Sequence, residues 1–368
     1  MRKGMFALAA VGLLATGSMA ACGDDAGSGS GSTGGGNAAP GKVGVILPDT
    51  KSSQRWSVDD PKFLKAAFDA AGVPVEIQNA QGDKSQFQTI ADSMISSGVK
   101  VLMIANLDSG TGKAVLDKAK AAGIATIDYD RLTLNGGANY YVSFDNVKVG
   151  ELQGQGLVEC LTAMKVSKPV VAELNGSPTD NNATLFKQGY DSVLQPKYDS
   201  KEYVKGPDQS VPDWDNAQGG TIFEQMLTQN RNIKGVLAAN DGLGNAVISV
   251  LKKQKLNGKV PVTGQDATVQ GLQNILVGDQ CMTVYKAIKE EADAAAGLAI
   301  AIAKGEKPTT ATGVTKDPES GADVPSVLLT PKSITKATVK DVVADGFVTK
   351  ETLCTGTFAK LCTDNGIS

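Results

Sequence analysis

Three times in the first half of the chain an amphipathic helical pattern runs into a glycine and then into a short apolar strand: AAFDAAGVPVEI, SMISSGVKVLMI and DKAKAAGIATID. Gly72, Gly98 and Gly123 stand where a helix is closed by a left-handed residue, a conformation glycine adopts without steric cost. Strands that are apolar almost throughout, alternating with helices, specify a parallel sheet covered on both faces. After Asp145 the same alternation restarts in PVVAELNG, NIKGVLAAN, KVPVTGQDA and CMTVYKA, each an expected strand followed by a helical pattern. The fold class is therefore α/β, with two doubly wound, Rossmann-like lobes and a cleft between them. The alternation does not say where the chain crosses from one lobe to the other.

The N-terminus has a different grammar. Met1-Arg2-Lys3, an apolar run from Met5 to Leu14 and the small residues up to Ala21 form a signal peptide over 1–21, too short to span a bilayer as a stable helix. Cys22 at the cut resembles the lipidated cysteine of a bacterial lipobox, with Met19 where that pattern usually has Leu. Residues 22–41 are nearly all Gly, Ser, Ala, Asp and Asn and cannot bury enough surface to offset their ordering entropy, so they read as a tether. This layout predicts an exported domain held on the extracytoplasmic face by a lipid. The remaining chain is long enough for about two domains.

Composition removes whole classes of function. The net charge of −3 offers no basic face for nucleic acid. With no histidine anywhere, histidine-dependent triads, imidazole bases and His-ligated zinc are excluded. No P-loop, dinucleotide fingerprint or EF-hand loop is present, so no cofactor and no metal are expected. Beyond Cys22 four cysteines remain, an even count that favours disulfides in an oxidising exterior. The expected pairs are Cys354 with Cys362 and Cys160 with Cys281, although spacing alone does not decide connectivity.

The stretch from Thr126 to Leu157 points to the site. A buried strand breaks into Asp130 and Arg131, a second short strand follows over Tyr140–Phe144, and Asp145-Asn146 opens a helix. A carboxylate and a guanidinium at a strand's C-terminal end mark a crevice, because ligands in open α/β sheets bind there. Planar polar groups recur at such ends: Asp49, Asn106, Asp130 with Arg131, Asp180 to Asn182, Asn240 with Asp241, and Gln265 with Asp266. Singly each is a turn former or cap; together they can grip adjacent hydroxyls of a sugar in pairs. The two tryptophans, Trp56 beside Arg55 and Trp214 between Asp213 and Asp215, lie in polar loops, one in each expected lobe. Their faces can stack on the C–H face of a pyranose.

Several motifs in combination carry a family resemblance: RW at 55–56, YDR at 129–131, SFDN at 143–146, GSPTDNNA at 176–183, AANDG at 238–242, GQDA at 264–267 and TVYK at 283–286. Nearly the whole mature chain resembles the xylose-binding proteins of bacterial sugar ABC transporters, in the type I periplasmic binding protein superfamily. The resemblance implies a multi-strand hinge with crossings near Asn146, Tyr285 and Leu329. The lobes would then comprise 42–145 plus about 286–328, and 146–285 plus about 329–368. It implies sugar contacts from Arg55, Trp56, Asp130, Arg131, Asp180, Asn182, Trp214, Asn240, Asp266 and Lys286, with Asp145 and Asn146 as hinge and cap residues. It also implies a monomeric receptor that closes on xylose, glucose or another aldose and is read by membrane permease subunits.

Three other functions use similar parts. A receptor for a chemotaxis or two-component system would share every feature named above. A carboxylate glycosidase or an isomerase would pair Asp130 with Asp266 and needs one acid with a raised pKa; beside Arg131, Asn and Gln, both are expected to be held ionised. A sugar-responsive repressor would need an N-terminal helix-turn-helix where this chain has an export signal.

Overall fold

The computed structural model describes residues 39–367, so the expected signal peptide, Cys22 and most of the tether lie outside the described residues. In the first lobe β1 (Val43–Leu47), α1 (Asp59–Ala71), β2 (Val75–Asn79), α2 (Lys84–Ser96), β3 (Val101–Ile104), α3 (Ser109–Ala121), β4 (Ala125–Tyr129) and β5 (Tyr140–Phe144) alternate as expected. Gly72, Gly98 and Gly123 have φ of 66°, 76° and 70°.

The second lobe follows with α4 (Asn146–Ala163), β6 (Val170–Asn175), α5 (Asn181–Asp199), β7 (Val204–Ser210), α6 (Asn216–Gln229), β8 (Ile233–Ala238), α7 (Asp241–Lys253), α8 (Val269–Val277) and β9 (Thr283–Tyr285). The chain returns to the first sheet through α9 (Ile288–Ala303), β10 (Gly313–Lys316) and β11 (Asp323–Leu329). It ends in β12 (Lys332–Ile334), α10 (Val339–Ala344), α11 (Lys350–Leu353) and α12 (Phe358–Asp364).

The first sheet has the order β10-β11-β5-β4-β3-β1-β2, parallel except for the antiparallel β10 edge. Apolar clusters cover both its faces. Phe68, Leu64 and the alanines of α9 lie on one, and Phe87, Met94 and Leu116 on the other. The second sheet is β7-β6-β8, with β9 pairing separately with β12. Between β5 and α4, β9 and α9, and β11 and β12, the chain passes from one set of strands to the other. The first and third of these passages touch where the Asp145 amide donates to the Leu329 carbonyl at 2.9 Å.

One reading of the second lobe is corrected and one strand is added. KVPVTGQDA contributes only a single bridge, Val236 to Val262, because Pro261 has no amide to donate to a ladder. VKGPDQS, not among the strands expected from the sequence, is β7; as an edge strand it tolerates polar residues and Pro207. Cys160 is joined to Cys281, linking α4 to the segment before β9, and Cys354 is joined to Cys362 in the tail. Among the described residues no helix is long and apolar enough to cross a membrane.

Candidate binding site

The chain segments that follow β1, β4, β6, β7, β8 and β9, together with Gln265-Asp266, converge on one narrow cavity of about 30 Å³. All ten residues that the sequence suggests as contacts line it: Arg55, Trp56, Asp130, Arg131, Asp180, Asn182, Trp214, Asn240, Asp266 and Lys286. Ser52, Ser53, Phe186 and Gln265 complete the wall.

Asp130 is the centre of this arrangement. Directly after β4 its backbone turns into the left-handed region, at φ 62°, which a short polar residue tolerates. Its Oδ2 accepts from Arg55 Nη1 at 2.6 Å and Lys286 Nζ at 3.2 Å, and its Oδ1 from Asn182 Nδ2 at 3.0 Å. Burial pushes this carboxyl up, but Lys286, Arg55 and Arg131 outweigh burial and hold it well below the usual carboxylate range.

Asp180 caps α5, its Oδ1 accepting from the Asn182 amide at 2.9 Å. Its Oδ2 accepts from Trp214 Nε1 at 3.0 Å and lies 3.1 Å from Arg131 Nε. Trp214 stands edge-on to Phe186, with ring centres 6.3 Å apart. Trp56 packs beside the arginines: the guanidinium carbons of Arg55 and Arg131 lie 4.1 and 5.4 Å from its ring centre.

The lobes touch across the cavity. Ser53 Oγ donates to Asp266 Oδ2 at 2.8 Å, and Asn240, the cap of α7, donates its amide to the Ser52 carbonyl at 3.3 Å. The Gln265 amide donates to Asp266 Oδ1. At Asp266 burial raises the pKa, and Lys286 and Arg55, which lower it, do not offset burial. The shift runs opposite to the direction that its polar neighbours suggest, because desolvation, which sequence neighbours do not report, is the largest influence.

Other strand-end residues serve the scaffold. Asp49 closes its own turn, accepting from the Ser52 amide at 2.7 Å, and Asn106 donates to Thr133 Oγ1 at 2.9 Å. Asp241 lies buried beneath the Asp266 turn, bonded to Gln280, Thr283 and Thr268. Asp145 caps α4, and the Asn146 amide supports Asn182 from behind at 3.0 Å.

Two buried carboxyls at the site go unnoticed in the sequence. Asp60 and Glu291 both grip Arg55, at 2.7 Å each. In sequence they look like first-turn acids of α1 and α9, as solvated helix starts often have.

Residues 43–307 match the profile of the periplasmic binding protein domain. The chain is 38% identical over 308 residues to the D-xylose-binding periplasmic protein of Escherichia coli (strain K12), a match covering 83% of this chain and 90% of that protein. It is 35% identical over 322 residues to the multiple sugar-binding periplasmic receptor ChvE of Rhizobium radiobacter, covering 83% and 90%. A solved carbohydrate transporter solute binding protein from Chloroflexus aurantiacus, in complex with D-glucose, superposes with a TM-score of 0.77 at 28% identity, covering 84% of this chain and 97% of that one.

Proposed function

The chain belongs to the periplasmic binding protein family, with the type I fold, and on that premise we propose that it is the substrate-binding subunit of an ABC sugar importer. The cargo in this reading is a monosaccharide, xylose first and glucose or another aldose next. One observation carries it: the paired donors and acceptors of both lobes and both tryptophans line the same buried cavity. Each hydrogen bond to a charged partner contributes about 1.5–3 kcal/mol, so a few of them plus stacking reach the roughly 8 kcal/mol of micromolar binding. Closure around the sugar would present a surface to the permease. Cys22 would carry the lipid anchor, which mass spectrometry of the mature N-terminus checks; an unmodified cysteine there rules the anchor out.

The low Asp130 and raised Asp266 form the kind of split carboxyl pair that glycosidases use. Family membership favours binding over catalysis, and each oxygen of these carboxyls, already accepting from a protein donor, keeps a lone pair for a ligand hydroxyl. Calorimetric titration of the domain from Gly41 onward against pentoses and hexoses, with product analysis, tests both readings. Saturable binding of one aldose, recovered unchanged, is expected, with binding abolished in Arg131→Ala and Asp266→Ala while both stay folded. Turnover of a glycoside or no binding across the panel overturns the proposal, and wild-type affinity in either variant overturns the site.

A further inference from the structure

Arg55 is the most constrained side chain in the cleft, and most of its constraints come from outside the cavity. A guanidinium has five N–H donors. Nε and one Nη2 hydrogen form a fork on Asp60 at 2.9 and 2.7 Å. The other Nη2 hydrogen reaches Glu291 Oε2 at 2.7 Å, and one Nη1 hydrogen reaches Asp130 Oδ2 at 2.6 Å. A single Nη1 hydrogen is left for the cavity that Arg55 lines.

We propose that Asp60 and Glu291 are positioning residues that lock Arg55 so that it offers one hydrogen to one ligand oxygen, which makes this arm of the site read a single hydroxyl. Neither carboxyl lines the cavity, and both are fully buried. They come from the first turns of α1 and α9, helices packed against each other, and Glu291 follows closely on the passage that carries Lys286. Asp60 is held in turn by the Tyr129 hydroxyl, which donates to its Oδ1 at 2.5 Å. An unclamped arginine could turn its planar fork toward two neighbouring hydroxyls; four committed donors fix both its plane and its remaining direction.

The inference rests on the sugar-binding reading, and two measurements separate them. The first needs no ligand. In ¹⁵N NMR the Arg55 Nε–H should exchange slowly in the wild type, exchange faster in Asp60→Asn and stay slow in Glu291→Gln, which keeps an acceptor oxygen. The second titrates monodeoxy analogues of the bound sugar. Arg55→Ala identifies the analogue on which losing Arg55 has no effect. Asp60→Asn and Glu291→Ala should bind the parent sugar about ten- to a hundredfold more weakly yet bind that same analogue as the wild type does, with Glu291→Gln restoring most of the loss. Equal weakening across all analogues, or unchanged affinity for the parent sugar, overturns the clamp. If the wild type binds no sugar, the importer reading falls, and the clamp is then decided by the resonance alone: an Nε–H unchanged in Asp60→Asn overturns it.

Discussion

Gly176 shows how much of this site depends on what a residue lacks. A Cβ there would come within 2.1 Å of the Trp214 ring, so the indole rests directly on backbone. Trp214 cannot easily retreat, because it and Asp213 already occupy left-handed backbone at φ 55° and 52°. Gly176→Ala should therefore push the indole away from Asp180 and weaken ligand affinity about tenfold or more, with the about 1–3 kcal/mol stability loss typical of overpacking. Titration beside a denaturant melt checks this; wild-type affinity would show that the indole's position is immaterial to binding. Residues of this kind divide what was legible in the sequence from what was not. The planar polar groups were visible because each follows an apolar strand. Asp60 and Glu291 were invisible because the arginine they hold is five and 236 positions away, and their own surroundings read as ordinary helix starts. Phe186 looked like any core residue of α5.

Elements were legible where glycine and apolar runs agree, as in the three helix-glycine-strand units of the first lobe. Legibility failed where pairing depends on the neighbouring strand: β7 is polar because it is an edge, and Pro261 reduces an apolar segment to one bridge. Glycines inside a helix, normally unfavourable by about 1 kcal/mol each, carry a further message. A Cβ on Gly150 of α4 would lie 2.0 Å from the Phe186 carbonyl oxygen, and one on Gly189 of α5 would lie 2.1 Å from that of Val147. The two helices therefore meet backbone to backbone. That contact sets the height of α5, and with it Asp180 and Asn182 at its first turn, so KVGELQGQG is part of the site's geometry although none of its residues lines the cavity.

At the scale of the molecule, the fold carries a set of acids kept from water. Burial pushes Asp128 up to about 7 against two hydrogen bonds from Thr133, and Asp241 up to about 7 against those from Gln280, Thr283 and Thr268. Burial likewise lifts Glu291 to about 8, with Arg55 pulling it down and Asp130 adding to the rise. In the unfolded chain all three titrate near 4. Between about pH 4 and their folded values, the native protein holds protons that the unfolded chain has lost. Stability therefore falls as pH rises through this window, by about 1.4 kcal/mol per pH unit for each group still protonated. Asp130 and Asp208 work in the opposite sense. Burial is outweighed at Asp208 by hydrogen bonds from Asn175, Lys187 and Lys205, which take it down to about 2, and at Asp130 by its three cations. Their contribution is present above about pH 4 and is lost only as pH falls toward 2. The two sets together place the stability maximum near pH 4–5, acidic of neutrality. Guanidinium unfolding at pH 5 and pH 8 should show the higher midpoint at pH 5, and Glu291→Gln should flatten that difference by about two-fifths, since Glu291, with the highest folded value, stays protonated over the widest part of the window. A midpoint that rises from pH 5 to pH 8 would mean that these carboxyls are ionised in the folded protein.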